Sequence, residues 1–224
     1  MRKTKAFVIM YNRLTWPKQM CEWLADNGCE VILVDNGSTY APLLDWYGQC
    51  PYKVHRLKAQ IEQAHKTPWT SGIIGQIPDS HYIVTDHDLD LSAVPSDFLA
   101  VLMAGLENKD AIKCGLSLRI DDLPDNQLTE QVLKIESAYW RNKDERGYYL
   151  APVDTTLALY HAQRTRNSTP NSFFNAVRTP QPYTAAHLPW HLTPETLTDE
   201  EWYYLNSIGN TGHWCHEYKR TFLK

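Results

Sequence analysis

The chain alternates between short unbroken apolar runs and longer segments in which apolar residues return every three or four positions. "AFVIM" at 6–10 and "EVILVD" at 30–35 are continuous hydrophobic stretches, the pattern of strands buried on both faces. Between them Trp16, Met20, Trp23 and Leu24 recur on one face. With Thr15 as N-cap, Pro17 in the first turn and Asn27-Gly28 as a stop, that recurrence predicts a helix. "YKVHRL" (52–57) predicts a weaker third strand and "HYIVT" (81–85) a fourth. Phe98, Leu99, Leu102 and Leu106 mark a helix entered through Pro95-Ser96, and "AIKCGLSL" (111–118) returns as a strand. Beyond it the pattern predicts a helix around 127–140, a strand around "TTLALY" (155–160), and a mobile loop over the Pro-, Asn- and Thr-rich stretch 164–184. Strands alternating with helices predict an α/β fold with a Rossmann-like, mixed and mostly parallel sheet flanked by helices.

At 224 residues and 43% hydrophobic content the chain fits one domain, 1–224, around one core. The formal charge of -4 supplies no basic field, so a nucleic-acid partner has no electrostatic support. No apolar stretch approaches the ~20 residues of a membrane span, and "AFVIM" after "MRKTK" is too short for the apolar part of a signal peptide. A cytoplasmic protein without a transmembrane segment is expected. Five cysteines with no C-x-x-C pair fit reduced thiols better than a disulfide frame or a zinc ribbon. The only His/Cys cluster, "HWCH" at 213–216, fits ordinary packing better than metal binding.

The polar motifs fall at predicted strand ends, where ligands of open α/β sheets bind. Tyr11, Asn12 and Arg13 follow the first strand, Asp35-Asn36-Gly37-Ser38 the second, and "TDHDLDLS" carries Asp86, Asp88 and Asp90 after the fourth. Carboxylates this close repel one another unless something positive sits among them, and a divalent cation meets that need. An EF-hand loop does not fit: Leu91 stands where glycine is required, Asp97 where a bidentate glutamate is expected, and a strand precedes the loop. A plain alternative is acidic capping of the strand end and the next helix. Neither G-x-G-x-x-G after the first strand nor G-x-x-x-x-G-K-[ST] is present, so phosphate must be held another way.

"AFVIMYNRLTWPKQMCEWL", then "VILVDNGST", then "YIVTDHDLDLS" resemble the nucleotide-binding half of a GT-A glycosyltransferase of the family-2-like group, over roughly residues 5 to 100. "GLSLRIDDLPD", "APVDTTLALY" and "AAHLPW" are similar to later segments of bacterial and viral members. The resemblance implies a GT-A domain with a nucleotide-sugar half (1–100) and an acceptor half (101–224). It implies that Tyr11, Asn12, Arg13, Asp35, Asn36 and Asp86 face the nucleotide, and that Asp88 with Asp86 binds Mn²⁺ or Mg²⁺ together with the sugar nucleotide. His187 resembles a late histidine that some members use on metal or diphosphate. The implied donor is a nucleotide sugar, UDP-sugar favoured by family habit, and the implied acceptor a glycan or lipid-linked glycan, with inversion at the anomeric carbon.

The chemistry is consistent with that resemblance. Breaking a sugar–phosphate bond puts negative charge on the departing diphosphate, which a bridging divalent ion stabilises. Activating the acceptor hydroxyl needs a general base, for which Asp122 and Asp154 are the candidates and Glu136 the third. Lys66 and Trp69 are candidate phosphate or sugar contacts, with core packing the plain reading of Trp69. Two other functions stay open: a non-catalytic nucleotide-sugar or glycan-binding module, and a nucleotidyltransferase. The latter ranks last, because "YNRLTWP" lacks the glycines such an enzyme wants after its first strand.

Overall fold

The computed structural model describes residues 3–58, 61–76, 80–166, 174–209 and 213–222. In chain order the first half runs β1 (Thr4–Met10), α1 (Thr15–Asp26), β2 (Cys29–Asp35), α2 (Ala41–Tyr47), β3 (Lys53–Arg56), α3 (Thr67–Thr70), β4 (Tyr82–Thr85), β5 (Leu89–Asp90) and α4 (Phe98–Gly105). The second half adds β6 (Lys113–Gly115), β7 (Ser117–Leu118), α5 (Gln127–Glu136), β8 (Ala158–Tyr160), β9 (Ala176–Arg178), β10 (Thr184–His187), α6 (Asp199–Ser207) and α7 (His213–Phe222). Seven strands form one sheet in the order β3-β2-β1-β4-β8-β6-β9, parallel except for β8. A small second sheet has the order β5-β10-β7. The fold is the predicted mixed α/β, Rossmann-like one.

The unbroken apolar runs have the expected cause. In β1, Ala6, Val8 and Met10 join a core with Met20 and Leu24 of α1 and Phe98 and Leu102 of α4. Phe7 and Ile9 point the other way, into a layer with Val84, Tyr160 and Trp69. A third cluster packs Tyr204, Leu205 and Ile208 against Leu128, Leu192 and Tyr218, seating the C-terminal helices beside α5. Among the described residues no helix is long and apolar enough to cross a membrane.

Three local expectations are corrected. "AIKCGLSL" is not one strand: the chain breaks at Leu116, whose N–H donates to Leu157 O, so β6 lies in the large sheet and β7 in the small one. Gly115 permits the close approach of Val153, since a Cβ there would sit 2.6 Å from Val153 Cγ1. The stretch 164–184 is not a loop throughout. Its residues 167–173 lie outside the described ones, but Ala176–Arg178 closes the large sheet as a parallel partner of β6, and Thr184 begins β10. α1 is not capped by Thr15. Leu14 holds the cap position, and the carboxylate of Glu200 accepts from the Leu14 and Thr15 N–H groups at 3.1 and 2.9 Å. "HWCH" opens α7, with the side chains of His213 and Cys215 outside the described set.

Candidate functional site

From β1 the chain winds to β2 and β3 on one side, then returns to β4 on the other. Loops at the carboxyl ends of β1 and β4 therefore diverge, leaving the crevice that such sheets use for ligands. A cleft of about 610 Å³ opens there, a volume suited to a small-molecule ligand. Its walls include Tyr11 after β1, Asp86, His87 and Asp88 after β4, Asp154 and Thr155 before β8, Arg178 at the end of β9 and His187 at the end of β10.

The paired aspartates have opposite environments. Thr155 holds Asp86 twice: its Oγ1 donates to Oδ2 at 2.6 Å, and its carbonyl accepts the Asp86 N–H at 2.8 Å. Burial, then the charges of Asp88 and Asp154, push the Asp86 carboxyl well above its ordinary pKa. Burial works the same way on Asp88, but His187, His87 and Arg13 outweigh it and hold that carboxyl below its usual range. Asp88 Oδ2 lies 3.5 Å from Arg13 Nη1. Its Oδ1, 3.7 Å from His187 Nε2, is buried without a hydrogen-bond partner, and so is His187 Nδ1.

Both histidines are buried, which lowers the pKa of each, to about 4 for His87. His87 Nδ1 lies 2.8 Å from the carbonyl of Ile9, which can only accept, so Nδ1 carries the proton and Nε2 presents a lone pair with no partner. The His187 ring packs 4.6 Å from Trp190.

Arg13 stands behind Asp88 and is wholly buried. Its guanidinium lies between the rings of Tyr204 at 3.5 Å and Trp16 at 4.4 Å, and donates to the Glu201 carboxylate at 2.6 and 3.0 Å. Asn12, Asp35 and Asn36 are also wholly buried and close a turn. Asn12, at φ 44°, accepts the Thr39 and Tyr40 N–H groups at 2.7 and 3.0 Å. Asp35 accepts from Ser38, from Tyr47 Oη at 3.1 Å and from Arg56 Nε at 3.4 Å, while Asn36 donates to the carbonyls of Met10 and Val34. None of these four lines the cleft.

The sequence candidates thus divide. Tyr11, Asp86, Asp88, Asp154 and His187 meet in the cleft. Asp122 does not line it; it pairs with Arg119 at 3.0 Å and lies 3.9 Å from His191. Lys66 ends a 3₁₀ turn outside the lining, and Trp69 donates to Tyr82 Oη at 3.0 Å and packs on Tyr160. Asp154 is exposed within the cleft, its carbonyl accepting from Lys113 Nζ at 3.4 Å. Glu136 also faces the cleft but is held by Arg178 at 2.8 Å.

Thr155, Arg178, Glu201 and Lys113 were missed. Thr155 follows a candidate directly, and that adjacency was its one local signal; Glu201 lies 188 residues from Arg13 in sequence. Among the described residues no group of three or more His, Cys, Asp or Glu side chains could hold a metal ion unaided. The donor set fits a different kind of cation site. Magnesium-type ions take one or two carboxylates and complete their shell with water and ligand phosphates, and Asp88 Oδ1 with the Asp86 carboxyl offers such a partial shell.

No protein-family model matches this chain, and no curated protein does. Among solved structures, HddC from Yersinia pseudotuberculosis superposes with a TM-score of 0.46 and 11% identity, covering 74% of this chain and 80% of that one. A 4-diphosphocytidyl-2C-methyl-D-erythritol synthase gives 0.44 and 12%, covering 93% and 98%. Both scores lie below 0.5, so the cleft's own chemistry has to support any functional reading.

Proposed function

We propose that the protein is a divalent-metal-dependent glycosyltransferase that moves a monosaccharide from a nucleoside-diphosphate sugar to a hydroxyl of a glycan or glycolipid. The observation that carries this reading is the pair of buried, unpartnered atoms, Asp88 Oδ1 and His187 Nδ1, beside Asp86 at the crevice where the strand order reverses. A buried acceptor without a partner costs on the order of 1–3 kcal/mol, and a site that tolerates the cost is prepared for a ligand.

Asp88 and Asp86 would hold Mg²⁺ or Mn²⁺, with His187 on the ion or the diphosphate. When bound, the ion supplies Lewis-acid stabilisation of the charge that grows on the departing diphosphate. Arg13, held by Glu201, engages Asp88 Oδ2 and leaves Oδ1 without a partner. Thr155 orients Asp86. Asp154, an exposed carboxylate of the cleft, takes the acceptor's proton as the acceptor oxygen bonds to the anomeric carbon. The bond from that carbon to the phosphate oxygen breaks, its electron pair leaves with the diphosphate, and attack from the opposite face inverts the centre.

Calorimetric titration with UDP, GDP and dTDP, each with Mn²⁺ and with excess chelator, tests the reading. One nucleotide should bind only with metal, and Asp88→Asn should abolish that binding. Asp154→Asn should keep the nucleotide affinity and lose transfer by about 10²-fold or more. Absence of metal-dependent binding to any of the three would overturn the proposal; binding without turnover of any matching sugar nucleotide would leave a non-catalytic module.

A further inference from the structure

Across the cleft from the aspartates, Arg178 Nη1 donates to Glu136 Oε2 at 2.8 Å, with both side chains nearly buried. Arg178 Nε donates to the Pro152 carbonyl at 2.7 Å, and the guanidinium lies 4.5 Å from the ring centre of Tyr139. Each partner keeps a group in reserve. Glu136 Oε1 and Arg178 Nη2 have no hydrogen-bond partner among the described residues, and neither is among the side-chain atoms sealed from solvent. Open to water on the cleft wall, these two groups are hydrated while the site is empty and can exchange that water for the polar groups of a ligand.

The chemistry of that ligand follows from the groups. An acceptor and a donor side by side, at no net charge, match two neighbouring hydroxyls, each of which both donates and accepts. An anionic ligand would meet Arg178 and be repelled by Glu136 in equal measure. Tyr139, also in the lining, supplies an aromatic surface for the C–H face of a sugar ring. Position fits as well. Arg178 pairs with Gly115, Gly115 with Ala158 and Ala158 with Val84, so three strand spacings, about 14 Å, separate Arg178 from the strand that leads to Asp86. The space between is cleft, and Asp154 lines it.

We propose that Glu136, Arg178 and Tyr139 form the acceptor subsite, gripping a neutral sugar ring by two adjacent hydroxyls while a further hydroxyl reaches Asp154. This rests on the glycosyl-transfer reading and gives Glu136 a binding role instead of the base role its position in the sequence allowed.

Saturation-transfer NMR with the methyl glycosides of glucose, galactose, mannose and N-acetylglucosamine, each with UDP and Mg²⁺ present, tests it. At least one glycoside should bind the wild type. Glu136→Gln and Arg178→Lys should each weaken that glycoside by about tenfold, the worth of a hydrogen bond to a charged group. UDP affinity should stay within about twofold, as expected of separated sites. Tyr139→Ala, at a partly exposed position, should weaken the glycoside too and serves if the ion-pair variants fail to fold. Glycoside binding untouched by all three substitutions, or no glycoside binding although UDP and Mg²⁺ bind, would overturn the subsite. Glycoside binding that the substitutions weaken without any nucleotide binding would uphold the sugar site and bring down the donor reading, and the acceptor role with it.

Discussion

Asp86 and Asp88 stand two residues apart and are driven in opposite directions: burial and two neighbouring carboxylates favour the protonated Asp86, while two histidines and Arg13 favour the ionised Asp88. Such divergence between like groups follows from the charges that surround each, since burial acts on both in the same direction. Lys113 shows the same rule for a base. Burial lowers its ammonium from 10.5 to about 8, against the pull of Asp154. Below about pH 8 both the folded and unfolded chains carry the proton, and folding bears the whole desolvation cost. As pH rises toward 10.5 the folded state releases this proton first, so at this site the unfolded state binds more protons and the contribution of Lys113 to stability climbs. Urea titrations of Lys113→Met beside the wild type should show the wild type gaining stability relative to the variant over this range, because the buried thiols, which lose stability as pH rises, act on both proteins alike. Equal slopes for both proteins between pH 8 and 10.5 would mean that Lys113 is not desolvated.

At the scale of elements, α6 does more than cover apolar surface. Thr198-Asp199-Glu200-Glu201 reads as a capping box, and Thr198 Oγ1 does accept the Glu201 N–H at 3.2 Å. The Glu201 side chain does not fold back to close the box but goes to Arg13, and Glu200 caps α1. One turn of helix thereby ties the first strand's loop, α1 and the Asp88 carboxylate together. Glu200→Ala should cost about 1 kcal/mol of stability, the ordinary worth of a helix cap. Glu201→Gln should cost about 3 kcal/mol, because it strips the main counter-charge from a buried arginine. Only the second should also weaken metal-dependent nucleotide binding. Chemical denaturation and calorimetry on both variants check the split, and equal losses of affinity would remove the claim that Arg13 orients Asp88.

The whole molecule sets the reactivity of its thiols. Cys21, Cys29 and Cys114 are buried in the main core and burial raises all three, Cys29 to about 12, whereas Cys50 is half-buried. Of these four, Cys50 alone should alkylate in the native protein at pH 8; the other three should react at the rate of global unfolding, as peptide mapping along a urea series would show. Fast labelling of Cys114 in water would contradict the packing of β6 against α4. The apolar runs 6–10 and 30–35, the amphipathic helix between them and the aspartates after 85 were legible in the chain, since burial on both faces, helical period and strand-end polarity are local patterns. β9 was not: three residues in a polar stretch become a strand only because β6 lies beside them. Asp35, Asn12 and Arg13 sit at the strand ends that sequence indicated, yet which of their atoms face a ligand depends on Ser38, Tyr47, Arg56 and Glu201, brought up from elsewhere. Sequence by itself determined the α/β class and the ends of strands where chemistry belongs. The tertiary structure alone decided which polar side chains spend their hydrogen bonds within the protein and which keep an atom unpartnered for a ligand, because that partition depends on contacts between residues up to 196 positions apart.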